Sequence, residues 1–327
     1  KILHLGEVVD PRHHVECLPA AVAFAQQSLP DHQRVVRCHE GPNRKQKPEV
    51  TETISVTFFP ENATNKEVIW SSTNTAIATV DNTGKITAVS VGNATISVTS
   101  VQDNTLKATC DVAVSWATLN NISGNVSGVR EKNSTVNISG HITVPEGETL
   151  TVEDGVQVIF DDNGVGASHK KIEFMVAGKL YCKGTETNPV LFSVASGKRV
   201  AANTFGGLWG GIVGTSTCSE MLFDNVIIEY TGGDVVADSP SALAGIYTAG
   251  GDITPHITTS NPQGKYVVTN STFRNGRSDA LYFMGGQAII ANNIFTAIGE
   301  TCADAINMKA GCKVDAAFNL IFSPNKN

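Results

Sequence analysis

Seven ionisable side chains in the segment 234–279 have the types and spacing that substrate or ion binding requires. They are Asp234, Asp238, Asp252, His256, Arg274, Arg277 and Asp279. Paired carboxylates hydrolyse glycosidic bonds, a basic group accepts a proton in a polysaccharide lyase, and acidic side chains bind calcium. A solvated loop that keeps a protein soluble has a similar composition. We therefore predict a substrate-binding or ion-binding site here and assign no catalytic residue.

The sequence motifs of known polysaccharide-cleaving enzymes are missing. The chain has no Arg-x-Pro-x-x-Arg pattern of pectate lyases, and it lacks the Asn-x-Asp, Gly-His-Gly and Arg-Ile-Lys motifs of polygalacturonases. The nearest approach is Gly140-His141, which Ile142 follows. The sequence therefore favours a non-enzymatic function.

Charge and cysteine content exclude several classes of partner. The net charge is -7, from 24 basic and 31 acidic residues, with no run of like charge, so we predict no nucleic-acid partner. No apolar stretch reaches 18 residues, so we predict no membrane-spanning helix in this sequence. The seven cysteines include no Cys-x-x-Cys pair, so we predict no structural metal, no cofactor and no obligatory disulfide. The acidic turn Asp161-Asp162-Asn163-Gly164 offers oxygen ligands for weak Ca²⁺ binding only.

The composition is typical of an all-β protein. Aromatic residues make up 6% of the chain, and 30 glycines accompany only 4 methionines, which favours short strands joined by tight turns. The length of 327 residues is enough for two domains, each with its own core.

Residues 1–48 differ from the rest of the chain. They hold five of the eight histidines and show neither strand alternation nor a convincing helical stripe. The side chains of a hypothetical zinc site would be His13, His14, Cys17, Cys38 and His39, but their spacing matches no known finger. The short apolar run before residues 23–25 is at the lower limit for a signal peptide. We predict a poorly structured leader of unclear origin.

Strict alternation begins near residue 49. Ile54, Val56 and Phe58 alternate with polar residues, and two later runs do the same, which predicts strands with one buried face. The segment 81–84, Asp-Asn-Thr-Gly, predicts a hairpin turn. Short strands at this spacing form a β-sandwich, which we place at residues 49–117.

The residues of this segment resemble the bacterial immunoglobulin-like domain, group 2, of invasin- and intimin-like surface proteins. The matching stretches are Pro60-Glu61-Asn62-Ala63-Thr64-Asn65-Lys66, Trp70-Ser71-Ser72, Ile77-Ala78-Thr79-Val80-Asp81, Gly84-Lys85-Ile86-Thr87-Ala88 and Gly92-x-Ala94-x-Ile96. The resemblance implies a non-enzymatic spacer or adhesive module on extracellular bacterial proteins. Trp70 and Cys110 are interpreted as core residues. The family opens with one more strand, whose place the leader occupies, so we expect an unpaired edge.

From residue 118 onward, short apolar runs recur about every 20 to 27 residues, the period of β-solenoids. The repeated pattern is Asn225-x-x-Ile228, Asn270-x-x-Phe273, Asn292-x-x-Phe295 and Asn319-x-x-Phe322. We expect the Asn side chains to stack at one turn and the Ile or Phe residues to form an inward ladder. The interval of 45 residues after Asn225 is either two coils or one coil with a long excursion over about 231–265.

A second repeat supports the same periodicity. Asp279-Ala280-Leu281 has a counterpart in Asp304-Ala305-Ile306, and we take Ala244-Gly245-Ile246 as a weaker early copy.

The first half of this region resembles right-handed parallel β-helix proteins of Bacteroidota-type surfaces. The residues that match are Val144-Pro145-x-Gly147, Thr149-Leu150-Thr151-Val152, Ala177-Gly178-Lys179-Leu180, Asn188-Pro189-Val190 and Leu208-Trp209-Gly210-Gly211-Ile212. The resemblance implies the architecture and leaves the activity open, because this fold hosts lyases, hydrolases and passive stalks. We predict a right-handed parallel β-helix at 118–327, incomplete at its C-terminal end because residues 316–322 repeat an internal coil.

The preferred functional interpretation is a non-enzymatic binding and display protein on the extracellular or outer-membrane surface of a bacterium. In it, an Ig-like spacer presents a β-helix that contacts a glycan or a partner protein. The alternative is a carbohydrate-active β-helix enzyme, a polysaccharide lyase or glycoside hydrolase, with its site in the 231–265 excursion.

Overall fold

A computed structural model describes residues 2–6, 35–38, 51–59, 65–116, 118–299, 303–309 and 311–322. The chain divides into two compact units, Lys1–Ala117 and Thr118–Asn327. The first unit contains β1 (Ile2–Gly6), β2 (Val35–Cys38), β3 (Thr51–Thr53), β4 (Ser55–Phe59), β5 (Val68–Ser72), β6 (Ala78–Val80), β7 (Lys85–Ala88), β8 (Gly92–Ser100) and β9 (Lys107–Trp116).

The first unit is a β-sandwich whose core follows the alternation in the sequence. A sheet in the order β2-β9-β8-β5 accompanies a sheet in the order β3-β7-β6, and β1 pairs with β4. The buried side chains come from every second residue of β8 and β9, so that Ile96 and Cys110 are each 1% exposed. Trp70 packs against this core and remains partly exposed. The Ig-like fold predicted from sequence is therefore confirmed.

The turn at 81–84 shows why this hairpin needs a glycine. The Asp81 carboxylate accepts hydrogen bonds from the backbone N–H groups of Thr83 and Lys85. Gly84 adopts φ of +83°, and a Cβ there would lie 2.3 Å from the carbonyl oxygen of Ile54. The turn joins β6 to β7, as the sequence predicts.

Two strands lie within the segment that the sequence analysis left without regular structure. β1 pairs antiparallel with β4, and β2 pairs in parallel with β9 from Val35–Ala113 to Cys38–Trp116. In these two places the segment 1–48 takes part in the sheets of the first unit, which the sequence analysis did not anticipate. The hypothetical zinc ligands His13, His14, Cys17 and His39 lie outside the described residues.

The second unit is a parallel β-helix with three faces. Its strands are β10 (Thr118–Asn125), β11 (Gly128–Arg130), β12 (Thr135–Val144), β13 (Thr149–Val152), β14 (Gln157–Phe160), β15 (Phe174–Val176), β16 (Lys179–Lys183), β17 (Val190–Val194), β18 (Ile212–Gly214), β19 (Glu220–Asp224), β20 (Val226–Glu229), β21 (Ile257–Thr259), β22 (Lys265–Thr269), β23 (Thr272–Gly276), β24 (Leu281–Phe283), β25 (Gln287–Ala291), β26 (Ile294–Ile298), β27 (Ile306–Met308), β28 (Lys313–Ala317) and β29 (Leu320–Phe322). The described helices are short: α1 (Pro240–Leu243) and 3₁₀ turns at Ser196–Lys198 and Ala201–Asn203.

Each coil contributes one strand to each face. Face 1 stacks the end of β12 with β15, β18, β21, β24 and β27; face 2 stacks β11, β13, β16, β19, β22, β25 and β28. Face 3 stacks the start of β12 with β14, β17, β20, β23, β26 and β29. The corner from face 3 to face 1 carries the long insertions, residues 161–173, 195–211 and 230–256. We call this edge the loop corner.

The inward ladder predicted from sequence is present on face 3. Phe192, Ile228, Phe273 and Phe295 are in register on successive strands, and each is fully buried. The rings of Phe273 and Phe295 stack with centroids 5.2 Å apart. Because Ile228 pairs directly with Phe273, the 45-residue interval is one coil with a long excursion, residues 230–256.

The Asn positions explain the turn between faces 2 and 3. Asn225, Asn270 and Asn292 all adopt the left-handed conformation, with φ between 53° and 59°, a conformation that Asn tolerates better than most residues. Asn292 donates from Nδ2 to Oδ1 of Asn270 at 3.4 Å. Stacking of the side-chain amides, as the sequence predicts, thus occurs between these two coils.

Three details of the predicted repeat are wrong. In the last coil Phe295 pairs with Ile321, so Phe322 is not part of the inward ladder, and Phe318 rather than Asn319 has the positive φ. Asn319 instead pairs with Asn293, whose Nδ2 donates to its Oδ1 at 2.9 Å. The early copy of the second repeat is at Ile257, which pairs with Leu281, and not at residues 244–246.

The last described coil exposes apolar side chains. Ile321 is 57% exposed, whereas Phe295, its register partner in the preceding coil, is fully buried. Phe318, at the turn position that Asn292 occupies one coil earlier, is 87% exposed. Among the described strands, none pairs with the outer edges of β27, β28 and β29. In the 327-residue polypeptide we expect backbone amides of residues 313–322 to exchange faster than those of residues 266–296, because the end coil opens without disturbing its neighbours. Hydrogen exchange with mass spectrometry measures this, and equal protection of both segments would contradict it.

Candidate functional site

An open cleft of about 660 Å³ lies on the outer surface of face 3, beside the loop corner. Its floor consists of outward side chains from consecutive coils, since residues next to an inward position point outward in a strand. The residues that line it are Gly155, Gln157, Asn188, Pro189, Leu191, Arg199, Ile227, Glu229, Tyr230, Arg274 and Asn275. Gln157, Leu191 and Ile227 are in one register row, and Glu229 and Arg274 are in the next.

Glu229 lies at an outward strand position and is nevertheless only 2% exposed. Its carboxylate accepts a hydrogen bond from Nε of Arg274 at 2.6 Å and one from Oγ of Ser193 at 2.6 Å. Nε of Arg199 lies 3.8 Å from the same carboxylate. A buried carboxylate is costly without such partners, so the hydrogen bonds from Arg274 and Ser193 offset the cost of burying Glu229 at the base of the cleft.

Both arginines use one edge of the guanidinium for the protein. Arg274 contacts Glu229 through Nε, and Arg199 donates from Nε to the carbonyl oxygen of Val194 at 2.8 Å. The terminal nitrogens of both side chains have no hydrogen-bond partner within the described part of the chain. The side chains are 43% and 26% exposed, respectively. The cleft therefore presents guanidinium donors to solvent from fixed positions.

Trp209 holds the 195–211 insertion against the coil beneath the cleft. Its ring is fully buried and stacks on Phe160, with centroids 3.9 Å apart and planes 6° apart. Its Nε1 donates to the carbonyl oxygen of Glu229 at 2.8 Å, and Leu208 N–H donates to the carbonyl oxygen of Tyr230 at 2.9 Å. These contacts connect the insertion to the end of β20.

The far end of the cleft is polar. Asn188 donates from Nδ2 to Oδ1 of Asn133 and to Oδ2 of Asp154, both at 2.8 Å. Lys132 pairs with Asp154 at 2.9 Å. At the opposite end, burial and the charge of Glu229 raise the pKa of Tyr230, so its hydroxyl keeps its proton at neutral pH. The cleft thus combines donors, acceptors and two aliphatic side chains.

Arg274 is the one residue of the sequence-predicted site that lines this cleft. Arg277 pairs with Asp234 at 2.7 Å, and Lys170 pairs with Asp238 at 2.5 Å. Asp252 accepts a hydrogen bond from Thr248 N–H at 2.6 Å within its own loop. The structure does not bring the seven residues into one site, because the excursion folds back on itself and pairs its acids with separate cations.

Asp279 and His256 have structural contacts. The Asp279 carboxylate accepts hydrogen bonds from Asp304 N–H at 2.8 Å and from Asn307 Nδ2 at 2.9 Å, linking adjacent coils. His256 is fully buried, with Nε2 at 3.2 Å from the carbonyl oxygen of Arg274. Burial lowers the pKa of His256 to about 4. Hydrogen bonds to the backbone of Arg274 and Asp279 raise this pKa, but their effect is smaller than that of burial. At neutral pH the ring is uncharged, and it is inaccessible to a ligand.

The acidic turn at 161–164 uses its oxygens within the protein. Oδ1 of Asp161 accepts from the backbone and the side chain of Asn163 at 3.0 and 2.8 Å, and Asp162 pairs with Lys198 at 2.7 Å. Within the described ranges no three His, Cys, Asp or Glu side chains are placed to hold a metal ion. Burial raises the pKa of Cys218 to about 12 and that of Cys182 well above its usual value, which keeps both thiols protonated.

Sequence reasoning missed Glu229, Arg199, Gln157 and Tyr230. One signal for the first was present: Glu229 ends the apolar run 226–228 just before the longest insertion. A charged residue at that point occupies a strand end beside the loop corner, where ligand-binding residues are common. Arg199 carries no such signal, because its position depends on how the 195–211 insertion folds.

The comparisons with known proteins concern the first unit. Its alternating core, its hairpin at 81–84 and its paired sheets are those of an immunoglobulin-like sandwich. Residues 45–112 match the bacterial Ig-like domain, group 2. Ig-like domains of this group are typical of bacterial surface proteins.

Two relatives of the Ig-like domain are uncharacterized proteins of Clostridium acetobutylicum. One is 47% identical over 64 residues, which is 20% of this chain and 16% of that protein. The other is 42% identical over 64 residues, 20% of this chain and 7% of that protein. The chain therefore matches only a small part of the length of either relative. None of the helices in the described parts of the chain has the length and apolar character that a membrane crossing requires.

Proposed function

We propose that this protein is a non-enzymatic binding and display protein, secreted by a bacterium or held at its extracellular or outer-membrane surface. The Ig-like domain acts as a spacer, and the β-helix binds a glycan in the cleft on face 3. The observation that carries the proposal is this cleft, an open groove of about 660 Å³ on a rigid sheet, with polar and aliphatic side chains in adjacent rows.

The lining of the cleft suits a sugar chain. Gln157, Asn188 and Asn275 offer amide donors and acceptors for hydroxyl groups, and Leu191 and Ile227 offer apolar surface to the C–H faces of sugar rings. The floor residues belong to hydrogen-bonded strands of consecutive coils. A preformed site loses little conformational entropy on binding, which favours affinity for a weakly hydrophobic ligand.

The carboxylates favour binding over cleavage. Glycoside hydrolysis uses two carboxylates that flank the scissile bond, and Glu229 is the one carboxylate among the residues that line the cleft. It is buried and bonded to Arg274 and Ser193, so it is poorly placed to give or take a proton. A raised pKa makes Tyr230 a weak candidate for the base of a lyase.

Replacing Gln157 by alanine is expected to weaken glycan binding about two- to ten-fold, the effect of losing one hydrogen bond to a sugar hydroxyl. Gln287→Ala is the matched control, because Gln287 is also the exposed first residue of a strand but lies on face 2. A glycan array identifies ligands for the full chain, and calorimetric titration compares the variants. Binding that is absent throughout, or equally changed by both substitutions, would overturn the proposal.

The same samples test the enzymatic alternative. Incubation of the protein with uronate-containing and neutral glycans, with and without Ca²⁺, is expected to leave them intact. Unsaturated products or new reducing ends that the untreated glycans lack would sink the non-enzymatic interpretation.

A further inference from the structure

We infer that the cleft selects glycans that carry an acidic group, a carboxylate or a sulfate, which the guanidinium groups of Arg199 and Arg274 bind. This inference rests on the proposed function of the cleft and specifies its ligand. The net charge of the cleft lining supports selectivity for acidic glycans. Arg199, Arg274 and Glu229 are the charged residues that line it, which gives two positive charges, one negative charge and a local net of +1, in a chain whose net charge is -7.

The contacts of Glu229 show that Arg199 is not needed to satisfy this carboxylate. Arg274 and Ser193 already satisfy the buried carboxylate, each at 2.6 Å. Arg199 is farther away, with 3.8 Å between its Nε and the carboxylate, and its closest hydrogen bond is to the carbonyl oxygen of Val194 at 2.8 Å. A purely structural ion pair would need only Arg274. The positive charge of Arg199 is therefore available to a ligand.

The orientation of both guanidinium groups favours a planar or tetrahedral anion. Each is anchored through Nε, which leaves the terminal nitrogens without a protein partner among the described residues. Paired N–H groups of arginine match the oxygen spacing of carboxylate and sulfate groups. Arg274 is anchored to Glu229 and Arg199 to the carbonyl oxygen of Val194, and both Nε atoms lie within 4 Å of the Glu229 carboxylate. Two guanidinium groups held in place in this way lose less entropy when they bind an anion.

Neighbouring side chains supply contacts for the rest of the sugar. Gln157 and Leu191 lie on the same face one register row away, and Asn275 adjoins Arg274. An acidic group at the arginines thus places the sugar ring over Leu191 and Ile227 and its hydroxyls near the amides. This combination distinguishes an acidic sugar from a free inorganic anion, which would gain nothing from the aliphatic row.

The test uses the full chain and two matched pairs of probes. An oligogalacturonate is compared with its methyl-esterified form, and dextran sulfate is compared with dextran. We expect at least one acidic probe to bind about ten-fold or more tightly than its neutral partner, with a preference that shrinks at high salt. Arg199→Gln is expected to abolish most of this preference, whereas Arg277→Gln, which alters an arginine outside the cleft, is expected to retain it.

The design separates this inference from the proposed function. Equal binding of acidic and neutral probes, with a loss on Gln157→Ala, overturns the acidic selectivity and leaves glycan binding in place. Failure of every glycan to bind overturns both. A preference that survives Arg199→Gln overturns the role of Arg199. In Arg199→Gln the Glu229 carboxylate keeps its hydrogen bonds to Arg274 and Ser193, so we expect the variant to fold.

Arg199→Lys keeps the positive charge and loses the planar guanidinium group. We expect this variant to bind the acidic probe with intermediate affinity.

Discussion

Replacing Trp209 by alanine is expected to lower the free energy of unfolding of the β-helix by about 3–5 kcal/mol. The ring is fully buried and stacks on Phe160 at 3.9 Å, and the neighbouring side chains form one continuous core along the coils. Its loss leaves a cavity between the 195–211 insertion and the coil beneath. It also removes the donor to the carbonyl oxygen of Glu229, which then lies buried without its partner. Chemical denaturation followed by circular dichroism measures the change.

Two further variants calibrate the Trp209 result. Trp209→Phe keeps an aromatic ring against Phe160 and loses the Nε1–H donor, so we expect a smaller loss of about 1–3 kcal/mol. Leu243→Ala, in the 230–256 insertion, removes an apolar side chain that is 74% exposed and should change stability by less than about 0.5 kcal/mol. A loss for Trp209→Ala no greater than that for Leu243→Ala would show that the insertion does not pack as described.

The second large effect is an acid-induced loss of stability from His256. Burial lowers the pKa of this imidazole in the folded state to about 4, from an ordinary value of 6.5. Below pH 6.5 the unfolded chain therefore binds a proton that the folded chain does not. The stabilisation is complete above pH 6.5 and is lost as the pH falls towards 4, where the unfolding free energy is lower by about 3 kcal/mol on this account.

Comparison with a non-titrating variant isolates this contribution. His256→Gln keeps an amide donor for the carbonyl oxygen of Arg274 and is expected to lose less stability between pH 7 and pH 4 than the unmodified chain. His169→Gln alters an exposed histidine and is the matched control for replacing a histidine by glutamine. Denaturation curves at a series of pH values provide the measurement. Parallel pH profiles for the unmodified chain and His256→Gln would refute the assignment.

The packing around His256 explains why its proton is excluded. The ring lies edge-on to Phe273, with centroids 5.8 Å apart. A Cβ on Gly276 would lie 2.0 Å from Cε1 of His256, so this strand passes the ring at a distance that only glycine permits. There is little room for water to solvate an imidazolium ion, which is the physical basis of the lowered pKa.

Rigid packing of this kind also supports the proposed binding role of the cleft. The Glu229 backbone is fixed by Trp209, and its carboxylate is fixed by Arg274 and Ser193. The cleft is therefore held in one arrangement by the core of the β-helix. Such a site binds a ligand without the free-energy cost of a large conformational change.

The sequence by itself determined the class of fold and much of its register. Alternation at 54–58 and the turn at 81–84 predicted a β-sandwich, because a strand with one buried face needs a period of two. The family resemblance implied that this sandwich is Ig-like. The spacing of Asn270 and Asn292 predicted successive coils with an Asn at one turn of each, because the repeat is visible in the sequence itself. The family comparison confirms the Ig-like domain at residues 45–112.

Only the tertiary structure decided which polar residues lie together. Four of the predicted site residues are close in sequence but lie in different environments. Asp234 and Asp238 form separate ion pairs, Asp252 bonds within its own loop, and His256 is buried in the core. Glu229 and Arg274 are far apart in sequence and meet because parallel coils place each outward residue beside its neighbour one coil away. Arg199 approaches the same carboxylate from the 195–211 insertion. The registers of the coils and the lengths of their insertions set those neighbours, and both depend on packing across the whole β-helix rather than on any local pattern.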